Sequence, residues 1–313
     1  MNKNPATVMN KVGKTVLPYA GVIILVVIAC VSTKTFATAF NIRNLISQCS
    51  ILMIAAIGSS FVMAHGNLDF SNGGTMAICL IFALALCKNA PMWAILPLCL
   101  IAGTAMGALI GFLVTKVRIM AFIVGMCLMR LSSALLYTTT QMGTYILPVT
   151  VTTSLDKPVV YAVAALVMCA LGIVVFEFTK IGQHNKLIGA NPIAAKLSGI
   201  NVKRYQFFAF VAAGICAGAA AFLLAIRSGG LSNKMGSYEI DVLIALTIGG
   251  MPLTGGSSAS VRSAIIGALS LTVLNNILVL WGVGTEFVNV IKGIIFLSLV
   301  LISSRKKTGV INR

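Results

Sequence analysis

An all-α, polytopic membrane helix bundle of about ten transmembrane helices, both termini cytoplasmic, is predicted by three observations. The first is composition. Of 313 residues, 58% are hydrophobic and 9% charged, with mean hydropathy +1.01. Soluble domains are near half apolar and a quarter charged, and a water-soluble fold of this size could not hide the excess. The second is continuity. The apolar residues form unbroken runs, which favours helices over the alternating strands of a β-barrel. At roughly 20 apolar residues per span, the composition allows nine or ten crossings. The third is the distribution of charge. The chain has 23 Lys and Arg against 6 Asp and Glu, a net +17. In a soluble protein that excess would suggest nucleic acid; here it reads as the basic bias of cytoplasmic loops, with no nucleic-acid partner.

The elements follow in order. A tail with Lys3, Lys11 and Lys14 precedes an apolar run from Val16 to Thr33. Ala37-Thr38-Ala39 resembles a signal-peptidase site. The run is longer than a usual signal core and Lys34 intervenes, so it reads as an uncleaved first helix. Further runs lie near 45–64, 73–87, 92–114, 119–137, 158–178, 206–226, 242–256, 263–283 and 287–303. The 73–87 and 242–256 runs are short, and either could be a half-helix or a re-entrant segment lining a cavity. Two connections are long, 139–157 outside and 180–205 inside, and the whole of 1–313 reads as one transmembrane domain. With ten spans, 15 of the 23 basic residues fall on the side of the termini and 6 on the other, while Arg130 and Lys292 lie within runs. Asp156, Glu239, Asp241 and Glu286 are expected outside, and Lys292 near a span end, where it could snorkel. Gly103, Gly107 and Gly111, and again Gly214 and Gly218, repeat at the four-residue spacing that lets helix backbones approach, either as a static seam or as a moving interface.

Enzyme chemistry is absent from the pattern. No G-x-x-x-x-G-K-[ST] cradles a nucleotide, and no HExxH accompanies the two histidines, His65 and His184. The eight cysteines all fall in apolar runs without metal spacing, so no metal site is expected. Candidate residues for a solute path or its gating are polar groups at membrane depth, where each charge costs a few kcal/mol. They are Asn67, Asp69 and Ser71 in a glycine-flanked turn, Arg130 in the fifth run, and Asn275 and Asn276 in the ninth. Asp69 and Ser71 could equally cap the following helix. The two asparagines could equally be interhelical glue. An ion-coupled carrier working without an ATPase is the alternative, weakened because Asp69 and Glu177 are the only inner acids and both sit near helix ends.

Four segments carry a family resemblance. They are Phe40–Leu45 running into Gly66-Asn67-Leu68-Asp69-Phe70-Ser71; Ile188-Gly189-Ala190-Asn191-Pro192 through Ile200; Tyr238-Glu239-Ile240-Asp241-Val242 with Ile248-Gly249-Gly250 and Leu253-Thr254-Gly255-Gly256; and Gly267-Ala268-Leu269 with Asn275-Asn276 and Lys292-Gly293. Together they resemble the permease subunits of bacterial ABC importers for simple sugars of the ribose, galactose and xylose type. The chain departs from the family at Met120-Ala121, where Pro-Pro is usual, at Asn67, where glycine is usual, and at the less glycine-rich Ser257–Arg262. The resemblance implies translocation of a monosaccharide or related small polar solute across the bacterial inner membrane. It implies as partners a second permease subunit, identical or a paralogue, and a periplasmic or lipid-anchored sugar-binding protein. It also implies a separate ATP-binding-cassette ATPase that carries the ATP and Mg, with no cofactor on this chain. Gly189, Asn191, Ala194, Ala195, Ser198 and Gly199 are implied to form the segment that couples to that ATPase. Pro192 suits a first helical turn and Gly199 a helix end.

Overall fold

The computed structural model describes residues 20–86, 94–142, 147, 149–231 and 238–305. Lys3, Lys11, Lys14, Cys87, Lys88, Lys234, Lys306, Lys307 and Arg313, which enter the sequence argument, lie outside the described residues. Every extended regular element among the described residues is helical. The order is α1 (Ala20–Ser32), then α2 (Ala39–Met63), α3 (Asn72–Leu86), α4 (Ile95–Phe112), α5 (Ala121–Met142), α6 (Val149–Leu155) and α7 (Pro158–Ile173). There follow α8 (Lys180–Ala190), α9 (Pro192–Leu197), α10 (Val202–Ser228), α11 (Tyr238–Ile248), α12 (Val261–Leu280) and α13 (Thr285–Arg305). α4 and α7 each end in a π turn, Leu113–Val117 and Val174–Phe178.

Six of these helices are long and apolar enough to cross a membrane, and α1 and α3 are shorter apolar helices. Side-chain caps set several starts. Thr38, Asn191, Asn201 and Ser260 each accept a backbone N–H from the first turn that follows, filling donors that a helix leaves open. Gly229, at φ +70, ends α10.

α2 and α10 form the centre of the bundle, with 83% and 72% of their apolar windows buried; α5 and α7, at 33% and 22%, are peripheral. The glycine spacing marks the tightest seam. A methyl placed on Gly103 would stand 2.2 Å from the Gly214 carbonyl oxygen, and one on Gly107 2.4 Å from that of Phe210. α4 and α10 therefore touch backbone to backbone, and dispersion across that contact replaces the hydrophobic drive that lipid does not supply. Of the described cysteines, Cys49, Cys79, Cys99, Cys169 and Cys216 are buried thiols among the packed helices and none is disulfide-bonded.

Two placements differ from expectation, and a third settles an open choice. Lys292 does not snorkel: it is buried and its Nζ holds both carboxylate oxygens of Asp241, at 2.8 and 2.9 Å. Two unit charges away from water need such a partner. Glu239 and Asp241 do not lie in an outer loop. They open α11 inside the bundle, two residues apart and so facing opposite sides of the helix, Glu239 toward α3 and Asp241 toward α13. Asn276 faces α2, where it exchanges two amide hydrogen bonds with Asn41, at 2.9 and 2.7 Å; interhelical glue is its observed role.

Candidate functional site

The polar centre is built by two interrupted segments. From the end of α2 the chain runs without helix through Gly66 to Ser71, and α3 starts at Asn72 beside the middle of α10. α3 then passes Cys99, near the start of α4, so it leads away from the bundle end that holds α8 and α9. α11 does the reverse. Its first turn meets the first turn of α3, and its last residues lead to Gly249, packed on Ser263 at the start of α12. Two half-helices therefore meet by their N-termini, each with unpaired N–H groups and a positive dipole end.

Carboxylates fill this meeting point. Asp69 is 3% exposed, and its Oδ1 accepts from the backbone N–H of Ser71 at 2.8 Å and from the Ser71 hydroxyl at 2.5 Å. This Asx turn sets Ser71, whose carbonyl then accepts the Thr75 N–H to begin α3. Glu239 is 1% exposed and lies against the first turn of α3. A methyl on Gly73 would stand 2.5 Å from its carboxyl carbon. Asp69, Ser71, Asn72 and Thr75 face Ile110 and Phe210 across a crevice of about 180 Å³, no part of which is wide enough for a water molecule. Asn67 lies on the same leg, half-buried, its Nδ2 without a partner among the described residues.

The lower ends of both segments join the α8–α9 turn. The Gly256 N–H donates to the Ala64 carbonyl at 3.0 Å. Gly189, at the end of α8, packs into the same spot: a methyl there would stand 1.8 Å from the Ala64 oxygen and 2.6 Å from the Gly256 nitrogen. Only glycine fits between them. α8 is held in turn by Glu177, whose carboxylate takes Lys186 Nζ at 2.7 Å and the Ser260 hydroxyl at 2.9 Å. His65 bonds Asn185 through Nε2 at 3.1 Å, and burial pushes its imidazole pKa down to about 4.

α9 is short but fully capped. Asn191 Oδ1 accepts from the Ile193 and Ala194 N–H groups, both at 3.0 Å, and Pro192 occupies the first turn. Gly199, at φ +82, ends it, with the Ile200 N–H returning to the Ala195 carbonyl. Ala195 is buried, while Ala194, Ser198 and Gly199 are exposed. Ile193 and Leu197, one turn apart, are 72% and 85% exposed.

The structure thus gathers Asn67, Asp69 and Ser71 at one point and the 189–199 group at another. Arg130 belongs to neither: it lies on the exposed face of α5. Asn275 and Asn276 sit on α12, away from the crevice lining. Glu239 was missed as a site residue. An acid at the start of an apolar run was the available signal, but a span drawn from 242 leaves it outside.

A family profile described as branched-chain amino acid transport system / permease component matches residues 41–300. The chain belongs to that family. Within it, the chain is 32% identical to the ribose import permease protein RbsC of Bacillus subtilis, over 96% of this chain and 94% of that one. It is 29% identical to the Haemophilus influenzae protein of the same name, over 90% and 91%. It is also 29% identical to the autoinducer 2 import system permease protein LsrC of an Enterobacter species, over 93% and 84%. No solved structure matches the chain. The family description and the relatives' names specify different solutes, so membership of this permease family does not by itself choose one.

Proposed function

We propose that the chain is the membrane subunit of an ATP-driven importer for a monosaccharide or a chemically similar small polar solute. The observation that carries this reading is α9. A six-residue helix fixed at both ends that presents Ile193 and Leu197 to solvent is shaped to fill an apolar cleft on another protein. Family membership and the ribose, fructose and autoinducer 2 import permeases among the relatives support the solute class.

In this reading ten segments enter the membrane with both termini in the cytoplasm. The α8–α9 turn faces the cytoplasm and docks on the ATPase, which supplies ATP and Mg; this chain holds no cofactor. Gly189, Ala64 and Gly256 carry its displacement to both interrupted segments. A binding protein delivers the solute from the opposite side. The path runs between two permease subunits along α5, whose open face carries Arg130, Ser133 and Tyr137. An arginine on a lipid-facing surface would cost several kcal/mol, of order 3 on insertion scales, so that face is better matched to a second subunit and water. Phe70 meets Phe122 edge to face on this side, with ring centroids 5.1 Å apart, and narrows the path beside Asp69.

The test is uptake of labelled ribose, fructose and autoinducer 2 by liposomes holding this chain with its ATPase and binding protein. ATP-dependent uptake of one of them is expected. Gly199→Glu should abolish uptake and ATPase co-purification while leaving membrane insertion intact. Uncoupler-sensitive uptake by the chain alone would overturn the reading.

A further inference from the structure

Two helix N-termini placed tip to tip repel, because each carries roughly half a positive charge. The α3 and α11 tips nevertheless meet in the middle of the bundle, with Glu239 1% exposed between them. What joins them is one side chain. Glu239 belongs to the first turn of α11, but its carboxyl group packs directly on the backbone of Gly73, in the first turn of α3. Gly73 leaves it the space: any side chain there would meet the carboxyl group at 2.5 Å. Asp69 cannot substitute, because its Oδ1 is committed to Ser71 on its own leg. One oxygen of Glu239, Oε1, has no partner among the described residues. A fully buried carboxylate with an idle oxygen costs free energy unless what it holds together repays it.

We propose that Glu239 is a positioning residue that pins the tip of α3 to the tip of α11, so that the two interrupted segments shift as one piece. The carboxyl group lies between two positive ends, while the feet of the two segments join at the Ala64–Gly189–Gly256 contact. A displacement entering there reaches both half-helices, and the pin keeps them in register. Without it the tip of α3 and the tip of α11, joined only through their feet, would lose register.

Amide hydrogen exchange on the full chain in lipid nanodiscs tests this. The proposal takes from the transport reading only that the segments move, and the measurement needs neither solute nor ATPase, so either can fail without the other. In Glu239→Leu, exchange in 66–76 and 238–248 should rise together by at least about tenfold, the value of a lost charge-assisted bond. Exchange across the α4–α10 seam should stay unchanged. Glu239→Gln keeps an acceptor oxygen and should restore most of the protection, which a purely space-filling role would not require. Gly73→Ala, which displaces the carboxyl group without removing it, should reproduce the Leu result and serves if that variant fails to fold. Unchanged protection, a rise in one segment only, or an equal rise in the seam would overturn the proposal.

Discussion

The α4–α10 seam and the α3–α11 junction are both places where two helices come unusually close, and they solve opposite problems. In the seam, glycines remove side chains so that neutral backbones touch along the helix flanks. At the junction, helix ends meet, and ends carry charge and unpaired N–H groups. Flank contact needs only small residues and costs little to form. End contact needs carboxyl groups at the junction: Asp69 sets the turn into α3, and Glu239 lies between the two tips. The seam is suited to staying put, whereas the junction holds polar groups that more than one arrangement can satisfy.

Four measurements separate the two. The largest effect is expected at the buried pair that anchors α11. Lys292→Met leaves Asp241 uncompensated and should lower stability by about 3–5 kcal/mol, read as a fall in the thermal midpoint in detergent; adding Asp241→Leu should recover most of it. Next, Gly103→Ala in the seam should cost about 3 kcal/mol, because the methyl would meet backbone that cannot turn aside. At the junction, Asp69→Ala loses both Ser71 bonds and should cost about 2 kcal/mol, while Asp69→Asn retains an acceptor oxygen and should cost about half. Transport should fall more steeply than stability for Asp69→Ala and in proportion to stability for Gly103→Ala. Were the two variants to lose transport and stability in equal measure, the distinction between the regions would be lost.

The smallest effect is acid dependence at the foot of the first segment. His65 is neutral in the folded chain, with its pKa pushed from 6.5 to about 4. The unfolded chain takes up a proton first, so stability is constant above the unfolded value and falls as the pH drops from 6.5 toward 4. His65→Gln should flatten that part of the midpoint-against-pH curve.

The seam was legible because it is a spacing: Gly103, Gly107 and Gly111 announce a smooth flank whatever lies opposite. Gly214 and Gly218 supplied the complement. The short runs were visible as candidates for half-helices or re-entrant segments. The ends of α9 followed from Pro192 and Gly199, whose preferences are local. The junction was not legible, because nothing local says which chain end meets which. Glu239 and Asp241 looked like outer acids until α3 and α13 were packed on either side of α11. Asn276 suited a path and interhelical glue equally until Asn41, 235 positions away, supplied its partner. Side chains whose meaning depends on a distant partner carry little of it in their own neighbourhood.

The crevice between Asp69 and Phe210 is too narrow for water, and that has an electrical consequence. A bacterial inner membrane stores its working energy as a proton gradient and a voltage. A continuous file of water through a carrier would conduct protons and discharge both. Closing the crevice with packed Ile110, Phe210 and Ala217 makes this part of the resting subunit an insulator.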